Sequence, residues 1–123
     1  MNPTDATTTF AHLKEVTAAF ARERDWEQFH APKNLSMAIA AETGELMEHF
    51  LWVSPEESKT LCLNSDKRGK IEEELADVII LSLQFANIAG IDVTSAINSK
   101  IAKNHAKYPV EKSKGRSEKY TDL

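Results

Sequence analysis

Cysteine is almost missing from this chain: Cys62 is the single thiol in 123 residues. One cysteine cannot close an internal disulfide and does not make a zinc site, so neither staple of small domains is on offer. Strong charge of one sign is also missing. The formal net charge is -4, which gives no support for broad binding to a nucleic-acid polymer through its phosphates. Long apolar runs are missing too. The longest, Val78 to Ile91, is broken by Ser82, Gln84 and Asn87, too short and too polar to span a bilayer. The first ten residues carry no charge apart from Asp5 and no apolar block, so no secretory leader is expected. No strand-like alternation, internal repeat or linker appears. The expectation is a cytoplasmic, soluble, all-α protein of one domain, 1–123, with no membrane partner.

What is there is a set of helical stripes. The Thr7-Thr8-Thr9 run offers an N-cap for a first helix with Phe10, Leu13, Val16 or Thr17, and Phe20 on its inward face. A connector from Trp26 to Lys33 follows. Pro32 disfavours helix at Ala31, and Asn34 is the expected N-cap of a second helix that reaches about Trp52. Gly44 lies inside that helix at about 1 kcal/mol against alanine, which points to something approaching the backbone there. Ser54-Pro55-Glu56-Glu57 starts a short helix to about Leu61, and Asn64-Ser65-Asp66 reads as a polar link. A long helix from about Lys67 to Ala89 stops at Gly90. Asp92 then caps a last one with Ala96, Ile97 and Ile101 inward, ended by Pro109. Residues 110–123 form a polar tail, disordered or laid on a partner subunit. The arrangement is that of a four-helix bundle.

The chemistry lies in two acidic pairs. Glu42 and Glu45 stand three residues apart, as do Glu74 and Asp77. A three-residue step turns an α-helix by about 300°, so each pair shares a face. Glu42 falls on the apolar stripe of Leu35, Ile39, Leu46 and Phe50. Glu74 and Asp77 lie beside a second stripe, Ile71, Leu75, Val78, Ser82 and Phe85. One acidic pair alone is usually a solvated helix face. Two pairs beside core-like residues on separate long helices are harder to dismiss. Packed together, such acids repel by about 4 kcal/mol per close pair at an effective dielectric near 20. They must either raise one another's pKa or hold a hard cation. Oxygen-only donors favour Mg²⁺, Mn²⁺ or Ca²⁺ over zinc, and in the two acidic pairs the Glu-x-x step ends on Glu45 or Asp77 rather than on the histidine of a di-iron centre. Mg²⁺ is the favoured reading, with Mn²⁺ as a substitute.

The spacing Glu42-x-x-Glu45, then 28 residues, then Glu74-x-x-Asp77 resembles the signature of the MazG-type all-α nucleoside triphosphate pyrophosphohydrolases. The segment from Glu23 through Trp26-Glu27-Gln28-Phe29-His30, with Pro32 and Asn34-Leu35, resembles the dCTP pyrophosphatase branch. So do the stretch from Lys100 to Pro109 and the end, Lys119 to Leu123. The resemblance implies hydrolysis of a deoxynucleoside triphosphate to monophosphate and pyrophosphate, with Mg²⁺, in homodimers or homotetramers. Carried over by position, Glu42, Glu45, Glu74 and Asp77 are the metal-binding and catalytic acids. Trp26, Gln28, Phe29 and His30, with Trp52, would form the base and sugar pocket, and Lys100 and Asn104 would reach the β- and γ-phosphates.

Each of these has a plainer reading. The tryptophans could pack in the core, His30 could be a loop histidine, and Lys100, Lys103 and Lys107 could complement a helix C-terminus. Two positions depart from the animal dCTP enzymes, which carry histidine on the first helix and tyrosine a turn after the motif's aspartate. Thr17 and Leu81 stand there, which loosens the expectation of cytosine toward dUTP or a modified base. The alternative outside enzymology is a nucleotide sensor or metal-binding interaction module without turnover. Beyond the inward stripe, Ile79, Ile80, Leu81 and Leu83 make the long helix apolar on more than one face, as at a subunit interface.

Overall fold

The structure is a computed structural model that describes residues 2–123; Met1 lies outside the described residues. Their regular structure is all helical, with six α-helices, two 3₁₀ turns and no strand among the described residues. They form two compact units that meet in sequence at Gly90.

The first unit holds α1 (Phe10–Glu23), α2 (Pro32–Glu48), α3 (Pro55–Leu63) and α4 (Ser65–Ala89). Most caps are those the sequence announces. Thr9 accepts from the His12 amide at 3.1 Å, and Ser54 accepts from the Glu57 amide at 3.1 Å. Gly90 closes α4 in the left-handed region, φ 68°, where a Cβ would be strained.

Three boundaries differ from expectation. Pro32 opens α2 as its first residue after an extended Ala31, because its missing N–H costs nothing there. Asn34 is therefore inside the helix and donates back to the Phe29 carbonyl at 3.3 Å rather than capping. The helix ends at Glu48, four residues before Trp52, and residues 49–53 continue as turns, Phe50 N donating to Met47 O at 2.9 Å. The polar link before α4 is also shorter than expected. Asn64 is the N-cap, accepting from the Asp66 amide at 2.9 Å, so α4 begins at Ser65.

The spine of this unit is the pairing of α2 with α4, with α1 and α3 laid against α4. Leu35, Ala21, Leu83 and Ala86 are buried there. The apolar stripes are covered unevenly. Leu75 on α4 and Phe10, Leu13, Val16 and Phe20 on α1 are exposed, as are Ile79 and Ile80. The face of α1 expected to point inward is thus open, and Ala21 is its buried residue. Helical spacing marks an apolar face without saying that the same chain covers it.

In the second unit Asp92 Oδ2 accepts from the Ser95 amide at 3.0 Å and starts α5 (Val93–Lys107). Ala96, Ile97 and Ile101, expected inward, are exposed. The polar tail carries a one-turn helix, α6 (Val110–Ser113), and a 3₁₀ turn at Tyr120–Asp122. Tyr120 meets Tyr108 edge-on at 6.1 Å, and the Lys107 ammonium sits 4.9 Å from the Tyr120 ring. The end of the chain folds back on the end of α5.

Candidate active site

Glu42 and Glu45 come from the middle of α2, Glu74 and Asp77 from the middle of α4, and the pairing of these helices sets the two acidic pairs against each other. Glu42 is the focus. Its pKa is raised, first by burial, then by a hydrogen bond with the Glu45 carboxyl, then by the charges of Glu45, Asp77 and Glu74. All three other acids therefore act on one carboxylate. Glu42 and Glu74 are part-buried, whereas Glu45 and Asp77 are open to solvent.

Two atoms are out of balance. Glu42 Oε2 and Glu74 Oε2 are both buried without a hydrogen-bond partner. A buried carboxylate oxygen with no donor is costly, and natural structures rarely leave one unless something else fills the place. Among the described residues, no three acids or histidines are already drawn to one point as around a bound ion. The donor set nevertheless fits a hard cation: all oxygen, on two rigid helices, with its two inner atoms unsatisfied.

Sequence reasoning missed one neighbour. His49 Nε2 lies 3.2 Å from Glu74 Oε2, an ion-pair distance without hydrogen-bond geometry, which is how that oxygen stays unsatisfied. The signal was present: His49 stands four residues after Glu45 and shares its side of α2.

The connector between α1 and α2 is tightly built. Asp25 takes a left-handed turn, φ 54°, uncommon for a residue with a Cβ. Gln28 holds that turn, its Nε2 donating to Asp25 O at 2.9 Å and Oδ2 at 3.1 Å. The Gln28 amide nitrogen is thus committed inside the loop. Trp26 packs edge-on against Phe20 at 5.7 Å, whose ring also carries the Arg24 guanidinium at 3.6 Å. Phe29 is exposed, and Trp52 is 95% exposed. Core packing is not the role of Trp52.

His30, half-buried, meets Gln84 of α4 at 3.2 Å. Lys100 and Asn104 lie on α5, in the second unit. The cavity lined by Asn2, Pro3, His12 and the threonines at 7–9 includes none of the predicted residues. Gly44 has nothing within 4 Å of where a Cβ would stand, so the close approach expected there is not made within the chain.

Two paired helices that oppose four carboxylates define an all-α protein with an acidic centre. A family model matches residues 37–123, spanning both acidic pairs. The chain belongs to the MazG-like family.

Its similarity extends to dCTP pyrophosphatase 1 of Rattus norvegicus, 42% identical over 115 residues that make up 94% of this chain and 68% of that protein. A shorter match, 53% over 34 residues, links 28% of the chain to 32% of a dATP/dGTP diphosphohydrolase of Cyanophage S-2L. Among solved structures, a pyrophosphatase from Archaeoglobus fulgidus superposes with a TM-score of 0.77 at 33% identity, covering 89% of this chain and 98% of that one.

Proposed function

We propose that this protein hydrolyses a deoxynucleoside triphosphate at the α-phosphorus, giving the monophosphate and pyrophosphate. It is a nucleoside triphosphate pyrophosphohydrolase, with dCTP or a closely related dNTP as its substrate. The observation that carries this is the pair of buried oxygens Glu42 Oε2 and Glu74 Oε2 on facing helices, neither of which has a hydrogen-bond partner. The similarity to dCTP pyrophosphatases over nearly the whole chain supports the choice of substrate class.

Glu42, Glu45, Glu74 and Asp77 would hold the cation, and Mg²⁺, or Mn²⁺ in its place, would supply positive charge that offsets the triphosphate and the charge developing on the phosphoryl oxygens. The chain's own part is to place acceptors. Glu42, whose pKa is raised by burial and by the acids around it, is hydrogen-bonded with the more solvated Glu45 carboxyl. A carboxylate of this cluster orients the attacking water and receives its proton. The new bond runs from water oxygen to the α-phosphorus, and the α–β bridging oxygen leaves with pyrophosphate.

Trp52 and the connector aromatics Trp26 and Phe29 offer faces on which a base can stack, at about 1–3 kcal/mol for each such contact. Lys100 and Asn104 are assigned to the β- and γ-phosphates on the sequence resemblance alone. The open apolar faces of α1 and α4 suit a homodimer or homotetramer, since exposed Phe10, Leu13, Val16, Phe20, Ile79 and Ile80 exceed what a lone subunit usually shows to water.

The test is product analysis of a dNTP panel with Mg²⁺, beside Glu42→Gln and Asp77→Asn. Monophosphate and pyrophosphate from the parent, with both variants at least about a hundredfold slower, is the expected result. Orthophosphate release would move the scission site. Binding without turnover would make the protein a sensor.

A further inference from the structure

Gln84, Asn87 and His30 form a hydrogen-bond relay whose direction can be fixed from one end. Asn87 Nδ2 donates to the Lys14 carbonyl of α1 at 2.9 Å. A backbone carbonyl can only accept, so the amide nitrogen of Asn87, not its oxygen, stands there. The other proton of the same nitrogen points to Gln84, 3.1 Å away, and needs an acceptor, which places Gln84 Oε1 toward Asn87. Gln84 Nε2 then faces His30 Nδ1 at 3.2 Å. An amide nitrogen donates, so Nδ1 must offer its lone pair and the ring proton must sit on Nε2. Turning the Gln84 amide round would set donor against donor at Asn87. Gln84 is only 2% exposed, so no water would relieve that conflict cheaply.

We propose that Gln84 and Asn87 are positioning residues that lock His30 in its Nε2–H tautomer, so that the connector presents a hydrogen-bond donor to an acceptor atom on the edge of the nucleobase. The tautomer follows from the relay alone; what His30 meets rests on the dNTP reading given above. A donor fixed by three side chains selects for a carbonyl oxygen or unprotonated ring nitrogen at that place and against an exocyclic amine. The exposed rings of Trp26 and Phe29 on the same connector suit a base rather than a phosphate. None of the three relay side chains is acidic.

The first experiment reads the tautomer in the parent protein and uses a variant only to assign signals. Nitrogen-15 imidazole spectra of the full chain at mildly alkaline pH, with the His30 signals assigned by their loss in His30→Gln, report which ring nitrogen carries the proton. Pyrrole-type Nε2 with pyridine-type Nδ1 is the expected pattern, whether or not the protein turns over any nucleotide. Pyrrole-type Nδ1, or an average of both forms, overturns the proposal.

The second uses Gln84→Glu, checked for folding by its melting curve. A carboxylate accepts from both neighbours, so His30 should switch to Nδ1–H. KM for dCTP should then rise about tenfold with kcat little changed, the loss of one oriented hydrogen bond. KM for deoxyribose triphosphate lacking a base should stay put. Equal losses for both ligands would overturn the assignment to the base. A failed switch in a folded variant would overturn the relay.

Discussion

His49 Nε2 stands 3.2 Å from Glu74 Oε2 with both side chains largely covered, 16% and 24% exposed. It approaches an oxygen that the proposed cation would claim. Replacing it with Leu removes that ion-pair contact from Glu74 Oε2, which has no hydrogen-bond partner. The metal-free protein should lose about 1–2 kcal/mol of stability. Saturating Mg²⁺ should recover most of that deficit. Paired thermal melts with and without Mg²⁺ measure both terms, and a deficit that Mg²⁺ leaves unchanged would mean His49 does not share its oxygen with the cation.

Glu42 predicts a pH effect of definite sign. Burial, then the Glu45 carboxyl and the neighbouring charges, raise its pKa in the folded chain. The folded state thus binds the proton more tightly than the unfolded one. Its contribution to stability is full below the unfolded carboxylate range, about 4.3, and is lost as pH rises through the raised value. At neutral pH a charged Glu42 is a net cost to the metal-free fold. Glu42→Gln should therefore melt higher than the parent at neutral pH, and the gain should vanish on acidification. Equal gains at both pH values would contradict the electrostatic reading.

Trp52 and Trp26 should separate stability from binding. Trp52 is 95% exposed, so Trp52→Ala should leave the stability of a dissociated subunit within about 0.5 kcal/mol while raising KM for a dNTP by about tenfold. Trp26 also packs on Phe20, so Trp26→Ala should cost both. Denaturant melts beside steady-state kinetics decide it. Unchanged KM in Trp52→Ala would remove that residue from the pocket.

Gly44 tests how complete the chain is by itself. Nothing lies within 4 Å of an added Cβ, and alanine is the better helix former by about 1 kcal/mol. Gly44→Ala should stabilise the isolated subunit by that amount. If the variant is instead less stable or loses activity, a second copy or the substrate comes close to that turn.

Much of this molecule is legible in its residues, and the parts that are not share a cause. Thr9, Ser54, Asp92 and Gly90 mark helix ends through local bonds, and local bonds can be read in order. Pro32 misleads because proline serves equally as a stop and as a first helical residue; Ala31 is extended on either reading. The opposition of Glu42 to Glu74 follows from two stripes that had to pair. The burial of each stripe did not follow. Phe20, Leu75 and Ile101 recur at helical spacing yet are open, since periodicity gives the face and not its cover. In the sequence His30 reads as a pocket residue by resemblance or as a loop histidine, and Gln84 and Asn87 only as interruptions of an apolar run. Their relay joins residues 54 and 73 positions apart, beyond any local pattern.

The most direct test of the central claim is hydrolysis of a dNTP in ¹⁸O-labelled water with Mg²⁺, followed by mass analysis of both products. Attack at the α-phosphorus predicts one labelled oxygen in the monophosphate and none in the pyrophosphate. Label in pyrophosphate, or release of orthophosphate, would contradict the assignment.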